Sequence, residues 1–166
     1  MNFLEFEINS HLETIDFIIK MSKVDYLQLY RYENEYHFSK MNLFELYKFL
    51  KNLEYIKGDQ KSQLIATPEQ LFQGNAPYQN CAVKVYLFSC LLRYLAAKNH
   101  PLKKNKYYIE ISGKTDRFED IGHIYFKVKL DKEIRFFDFT YPTRNELFKP
   151  LYSPGITICK EFILSE

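Results

Sequence analysis

One stretch of the chain is apolar over almost its whole length, and the remaining pattern is arranged around it. From Cys81 to Ala97 only Lys84 and Arg93 carry charge, and the stretch contains neither glycine nor proline. It is too long for a strand, and its leucine, alanine and phenylalanine content favours a helix. A helix that is apolar nearly all round is buried in the middle of a domain. This one is too short and too polar at its ends to cross a bilayer.

The pattern before this helix predicts three shorter helices. Asn9 or Ser10 followed by Glu13 is typical of an N-cap, and Asn42 and Thr67-Pro68 mark two later helix starts. The predicted helices run from the first cap to about residue 20, from 43 to about 55 with Gly58 as the stop, and from 68 to about 74. Residues 5–8 are predicted to form a short strand, 63–67 to be extended, and 26–38 to be helix or strand without a clean period.

After the long helix the pattern changes to alternation with a period of two, which is typical of strands. Residues 106–112, 123–130 and 133–141 are predicted strands, with a tight turn at 131–132, and residues 156–164 are a possible last strand. The predicted fold class is therefore α+β, with helices first and then an antiparallel sheet packed on the Cys81 helix.

Composition narrows the classes of function. The chain has 166 residues, which suits one domain, and 23 Lys and Arg nearly balance 21 Asp and Glu, so neither nucleic acid nor a membrane is an expected partner. Three cysteines without CxxC spacing favour a reducing compartment, and acidic residues in positions 2–7 do not fit a secretion signal, so we expect a cytoplasmic protein. The four histidines do not pair with cysteine at ligand spacing; no metal and no other cofactor is predicted. The basic run from Lys98 to Lys106 is expected to be a solvated loop.

The predicted hairpin brings a histidine close to an aspartate. A two-residue turn at 131–132 sets Tyr125 opposite Asp138 and His123 opposite Thr140. His123 and Asp138 then lie on the same face as diagonal neighbours, about 7–8 Å apart at the backbone. Strand pairing alone therefore predicts a His–Asp pair within side-chain reach.

Cys81 completes a set of three residues suited to nucleophilic catalysis. A thiol at a helix N-terminus meets the positive end of the helix dipole, which favours the thiolate. His123 would take and return the proton, and Asp138 would accept a hydrogen bond from the other ring nitrogen. The oxyanion would be held by the backbone N–H of Cys81 and one more donor, for which Gln79 and Gln73 are the nearby candidates.

The order of these residues resembles that of the transglutaminase-like superfamily. Its members typically show a cysteine at a helix start, then a His-x-aromatic strand, then an Asp-x-Thr strand about fifteen residues on. The matching segments here are Cys81, His123-Ile124-Tyr125-Phe126-Lys127-Val128 and Phe136-Phe137-Asp138-Phe139-Thr140-Tyr141-Pro142, preceded by Tyr55-Ile56-Lys57-Gly58-Asp59 and Thr67-Pro68-Glu69-Gln70-Leu71. The sequence departs from the family at Gln79, Asn80 and Ala82, beside the cysteine, and at Tyr125, where Trp is common.

The resemblance implies a papain-like core in residues 43–142 of a single domain, 1–166, of a small microbial or phage-type member. Residues 1–40 would be an N-terminal extension, and residues 143–166 a C-terminal loop with the possible strand. The implied roles are Cys81 as nucleophile, His123 as base and Asp138 as orienting acid. The implied activity is acyl transfer through a thioester on an amide or peptide bond, with a peptide or protein as substrate. Release to water is preferred over cross-linking, because the sequence discloses no site for an amine acceptor.

Two other functions stay open from the sequence. The chain could be a catalytically inactive scaffold or binding module that keeps the fold, in which case the Cys81 thiol should react like an ordinary one. It could also be similar to arylamine N-acetyltransferases, which share the triad order, although no acyl-CoA site is visible. Of the other two cysteines, Cys90 is predicted to pack in the core and Cys159 to be structural.

Overall fold

The computed structural model describes residues 4–6, 9–56, 63–77, 79–118, 120, 122–140 and 155–164, which form an α+β fold. The helices are α1 (His11–Asp25), α2 (Glu33–Tyr36), α3 (Leu43–Lys51), α4 (Pro68–Phe72) and α5 (Cys81–Ala97), with 3-10 turns at Tyr26–Tyr32, Phe38–Lys40 and Pro101–Lys104. The strands are β1 (Leu4–Phe6), β2 (Gln63–Ile65), β3 (Lys106–Gly113), β4 (Gly122–Lys129), β5 (Ile134–Phe137) and β6 (Ile156–Phe162). Strands β1 and β2 pair with each other, and the other four form an antiparallel sheet in the order β5-β4-β3-β6.

Helix α5 is the centre of the core, as its sequence predicts. The Asn80 side chain caps it by accepting from the Val83 N–H at 3.1 Å, and every residue from Ala82 to Leu95 is buried. At its other end Asn99 adopts a left-handed conformation with φ of 63°. The predicted bounds of this helix are therefore confirmed.

The sheet packs its apolar face against α5. On this face Ile109 pairs with Phe126 and Ile111 with Ile124, and all four side chains are buried. Phe88 of α5 meets Phe126 edge to face, with 4.9 Å between ring centroids. Burial of each such side chain contributes about 2 kcal/mol, so this contact fixes how the helix sits on the sheet.

The β4–β5 hairpin has the predicted register. Lys129 pairs with Ile134 and Phe126 with Phe137, which is the register of a two-residue turn at 131–132. The predicted strand over 133–141 is nevertheless wrong at its end, because β5 stops at Phe137. The reason is local: Asp138 turns its Oδ1 back to accept from the Thr140 N–H at 3.0 Å, which closes a turn in place of a ladder. Residues 141 and 142 lie outside the described residues.

The N-terminal helices differ from their predicted bounds for similar reasons of packing. Ser10, and not Asn9, caps α1. This helix continues past residue 20 to Asp25, because Ser22 is drawn into a hydrogen bond with Arg93 of α5. Residues 26–38, predicted to be helix or strand without a clean period, lie in short helical elements apart from His37: the 3-10 turn Tyr26–Tyr32, α2 and the start of the 3-10 turn Phe38–Lys40.

Two predicted helices end early. Helix α3 ends at Lys51 and not near 55, and helix α4 ends at Phe72 and not near 74, where Gly74 has a φ of +74°. The predicted stop at Gly58 lies outside the described residues. The predicted strand at 5–8 agrees with β1 for residues 5 and 6, and its last two residues also lie outside them.

The sheet face opposite α5 is polar but buried near the end of β4. The Tyr125 hydroxyl donates to Glu110 Oε1 at 3.0 Å and lies 3.0 Å from Ser112 Oγ, and all three residues are buried. Lys127 Nζ lies 3.1 Å from Glu110 Oε2 and neutralises this carboxylate. The alternation of β3 and β4 therefore separates apolar from polar side chains, and it keeps Glu110, Ser112 and Tyr125 buried on the polar face.

Candidate active site

The first residue of α5 presents a thiol where the hairpin ends. Because Asn80 caps the helix from outside, Cys81 is its first helical residue, and its side chain is partly exposed. Its sulfur accepts a hydrogen bond from the backbone N–H of Ile124 and hydrogen-bonds the imidazole of His123. Ile124 lies two residues beyond the last β4–β5 pair, at Phe126, so the sulfur sits against the part of β4 that β5 does not reach.

His123 connects this thiol to a carboxylate. Its Nε2 lies 2.8 Å from Asp138 Oδ2, and its side chain is 12% exposed. With Nε2 engaged by the carboxylate, Nδ1 is the ring nitrogen left for the hydrogen bond with the sulfur. The diagonal pairing predicted from the hairpin therefore places this His–Asp pair in direct contact.

Asp138 is completely buried and is held in place from two sides. Its Oδ1 accepts from the Thr140 N–H, and its own backbone carbonyl accepts from the Tyr47 hydroxyl at 3.4 Å. A buried carboxylate needs such partners to remain ionised. The same turn that ends β5 thus fixes the orientation of the carboxylate toward His123.

Lys84 is a site residue that the sequence analysis did not identify. It lies one turn after Cys81 in α5, is only 3% exposed, and donates from Nζ to the carbonyls of Leu53 at 2.7 Å and Phe139 at 3.2 Å. Burial lowers the pKa of its ammonium group, and the nearby charge of Asp138 partly offsets that effect. The available signal was a lysine inside an otherwise apolar helix, since a buried lysine must find oxygen partners.

The electrostatics of the site favour a thiolate–imidazolium pair. Burial acts to lower the pKa of His123, but hydrogen bonds to Asp138 and Cys81 outweigh it and raise that pKa to about 9. Burial likewise acts to raise the pKa of the Cys81 thiol, but the hydrogen bond and charge of His123, with the Ile124 N–H, lower it overall. Both shifts favour the thiolate–imidazolium pair over the neutral thiol and imidazole.

The two predicted oxyanion donors lie near the site but make other contacts. Gln79 pairs through its backbone with Ile56, with hydrogen bonds of 3.0 and 3.3 Å in the two directions. The Gln73 side-chain amide donates to Glu69 at 3.4 Å. Their role as oxyanion donors stays a prediction.

The described residues contain no group of three or more His, Cys, Asp or Glu side chains arranged to hold a metal ion. Within the same ranges, no helix combines the length and apolarity needed to span a bilayer. The three described cysteines are unpaired with one another: Cys81 is partly exposed, Cys90 buried and Cys159 exposed.

Comparison with family models, curated proteins and solved structures finds no match to this chain. The site itself consists of a thiol, an imidazole that hydrogen-bonds the thiol and a buried carboxylate that hydrogen-bonds the imidazole, in the order Cys81, His123, Asp138.

Proposed function

We propose that this protein is a cysteine-dependent acyl-transfer enzyme with a papain-like, transglutaminase-like core. The observation that carries the proposal is the single imidazole of His123, bonded through one nitrogen to the buried Asp138 carboxylate and through the other to the thiol at the start of α5. A buried histidine in a purely structural role does not need both partners. This arrangement is the one that nucleophilic catalysis by cysteine requires.

The first half of the reaction would form a thioester. The Cys81 thiolate attacks the carbonyl carbon of an amide or peptide bond, and the carbonyl electrons move onto oxygen. The backbone N–H of Cys81 lies at the positive end of the α5 dipole, so it suits the developing oxyanion; Gln79 or Gln73 would supply the further donor. As the tetrahedral intermediate collapses, the C–N bond breaks and imidazolium His123 gives its proton to the departing amine.

The second half would release the acyl group. Neutral His123 takes a proton from water, the resulting hydroxide attacks the thioester carbon, and the C–S bond breaks to return the Cys81 thiolate and a carboxylic acid. Asp138 keeps the imidazole oriented and stabilises its charged form in both halves. We favour water over an amine as the acceptor, with a peptide or protein as substrate, since no observation identifies an amine site.

Alkylation by iodoacetamide, read by peptide mass spectrometry across pH 4.5 to 9, tests the proposal. The chain supplies its own references, because Cys159 is exposed and Cys90 is fully buried. We expect Cys81 to be labelled rapidly below pH 7, and faster there than the exposed Cys159. In His123→Ala the Cys81 profile should move to higher pH and the Cys159 profile should not change.

The opposite result supports the scaffold function. If Cys81 reacts no faster than Cys159 at acid pH and does not respond to loss of His123, the thiol is not activated in the free protein. The Cys–His–Asp contact would then serve the stability of the fold, and catalysis by these residues would be rejected.

A further inference from the structure

A cleft lies at the C-terminal end of α5, the end opposite Cys81. It has a volume of about 670 Å³, within the range of small-ligand sites, and is bordered by the last helical residues Ala96 and Ala97. At 1.5 Å per residue, the helix separates this end from Cys81 by roughly 24 Å. The cleft is therefore distinct from the candidate active site.

The cleft collects positive charge from separate parts of the chain. Five cationic residues line it against a single carboxylate, that of Glu161. The cationic residues are Lys23, Arg93, Lys103, Lys104 and Lys106. This local excess of four charges exceeds the net charge of +2 of the whole chain, so the rest of the protein is negative overall. Helix dipoles favour one or two cations near a C-terminus, but they do not account for charges that converge from α1, α5 and the start of β3.

The wall that carries three of these lysines is held rigidly. Residues 101–104 form a 3-10 turn whose Leu102 N–H donates to the His100 ring at 3.0 Å. Tyr107, the second residue of β3, donates from its hydroxyl to the Leu102 carbonyl at 2.7 Å. The basic run expected to be a solvated loop is thus partly an ordered wall, and its charges need little further ordering when a ligand binds.

The aromatic side chains Tyr26, Tyr107 and Phe162 complete the lining. The Cζ of Arg93 lies over the Phe162 ring, 4.4 Å from the ring centroid. The Arg93 guanidinium donates to Ser22 Oγ and to the carbonyls of Ile19 and Ile163. Arg93 therefore fixes the base of the cleft, while the exposed lysines form its rim.

We propose that this cleft binds a small, multiply charged anion of the phosphate-ester or polyphosphate class. Lysine ammonium groups act as point charges for phosphate oxygens, and several converging on a partly enclosed space attract a compact polyanion more strongly than dispersed surface charges do. The ligand relieves repulsion among like charges, so binding also stabilises the folded chain.

Isothermal titration calorimetry of the whole chain with inorganic pyrophosphate, at constant ionic strength, tests the proposal. We expect saturable binding at one site. The triple variant Lys103→Gln, Lys104→Gln, Lys106→Gln should bind about tenfold more weakly or worse, because three of the five cations are removed. The charge-matched control Lys40→Gln, Lys129→Gln, Lys132→Gln changes exposed lysines outside the cleft and should keep the native affinity.

A second variant is expected to bind pyrophosphate more tightly, a result that misfolding cannot produce. Glu161→Gln removes the only carboxylate of the cleft and should tighten pyrophosphate binding by about threefold, whereas Glu35→Gln, on an exposed turn elsewhere, should not. Equal weakening by both triple variants, no saturable binding, or binding of a short oligonucleotide in place of pyrophosphate would each overturn the proposal. Cys81→Ala should leave the affinity unchanged, which separates this site from the proposed catalysis.

Discussion

Helix α5 carries two cysteines that are each linked through one side chain to an aspartate, yet their thiols are affected in opposite directions. At the start of the helix, Cys81 meets the imidazole of His123, which meets Asp138. In this triad the pKa of the thiol is lowered.

Two turns further along, Cys90 contacts the Tyr86 phenol, which donates to Asp25 Oδ2. Here burial and the charge of Asp25 raise the pKa of the Cys90 thiol well above its usual value, although the Tyr86 hydrogen bond acts the other way. The pKa of the Tyr86 phenol is itself raised, first by burial.

The difference lies in the middle residue. An imidazole can hold two protons and become a cation between a thiolate and a carboxylate, whereas a phenol can only be neutral or negative. The position of each cysteine adds to this difference in thiol pKa, because Cys81 lies at the positive end of the helix dipole and Cys90 is enclosed by the core. Proximity of an acid, a hydroxyl or ring, and a thiol is therefore not enough to activate a cysteine.

Changing the middle residue of each set, His123 beside Cys81 or Tyr86 beside Cys90, should differ most in its effect on the rate of acyl release. After a single turnover with p-nitrophenyl acetate, His123→Ala should release the acetyl group from Cys81 roughly 10² to 10⁴ times more slowly, because water has lost its general base. Tyr86→Phe, the matched change beside Cys90, should leave release unaffected. Intact-protein mass spectrometry over time measures both, and equal release rates in wild type and His123→Ala would remove His123 from the mechanism.

The pH dependence of stability should also distinguish the two cysteines. The raised pKa of His123 contributes stability that is complete below 6.5 and is lost as pH rises through about 9. The lowered pKa of Cys81 contributes stability that is present above the ordinary thiol value of 9.0 and is lost as pH falls through the folded value. Between the folded pKa of Cys81 and pH 9 these two dependences have opposite signs in the wild type.

Without the Cys81 thiol, the pH dependence of stability that His123 contributes should become measurable. Relative to wild type, Cys81→Ala should lose unfolding free energy as pH rises from 6.5 to 8.5, because the opposing contribution of the thiol is gone while His123 still deprotonates beside Asp138. Cys90→Ala, which removes a fully buried sulfur, should differ from wild type by a constant amount over that range. Urea denaturation at several pH values measures both; parallel curves for Cys81→Ala and wild type would contradict the ion pair.

Replacing the two aspartates should have a smaller effect, measured on the rate at which Cys81 is alkylated. Asp138→Asn should slow alkylation of Cys81 at pH 6 by about tenfold, because the imidazolium loses the charged partner 2.8 Å from its Nε2. Asp25→Asn should leave labelling of Cys81 unchanged, since its carboxylate serves Tyr86. Equal rates in Asp138→Asn and wild type would assign the carboxylate a purely structural role.

The smallest effect concerns Asp25 itself. Burial raises the pKa of this carboxyl, so the wild type should gain stability relative to Asp25→Asn as pH falls through the raised value, by about 1 kcal/mol. Thermal unfolding from pH 7 to 4 measures the difference. A gain in the opposite direction would mean that Asp25 is held as a stabilised anion.

Much of the fold follows from local rules. The Asn80 cap and the uninterrupted apolar run predict α5, and the two-residue turn predicts the register that brings His123 to Asp138, because both depend on neighbours in sequence. The end of β5 was not predicted, since the turn at Asp138 competes with a strand that its aromatic flanks favour.

The unpredicted features depend on contacts between distant segments. Lys84 finds its partners on Leu53 and Phe139, and no local pattern indicates that these carbonyls converge. The basic cleft likewise needs Lys23 and Arg93 to meet the lysines of residues 103–106. The catalytic roles of Cys81, His123 and Asp138, the papain-like core and the resemblance to transglutaminase-like proteins remain predictions.

The position of Cys81 against the open end of β4 has a consequence for the order of assembly. His123 and Asp138 are separated by 15 positions and share a hairpin, whereas Cys81 precedes His123 by 42 and joins it only when α5 docks on the sheet. A local pair forms at a smaller loop-closure cost than a distant one. If His123 activates Cys81 as proposed, thiol reactivity at acid pH should appear only at the last stage of folding, when α5 has docked on the sheet.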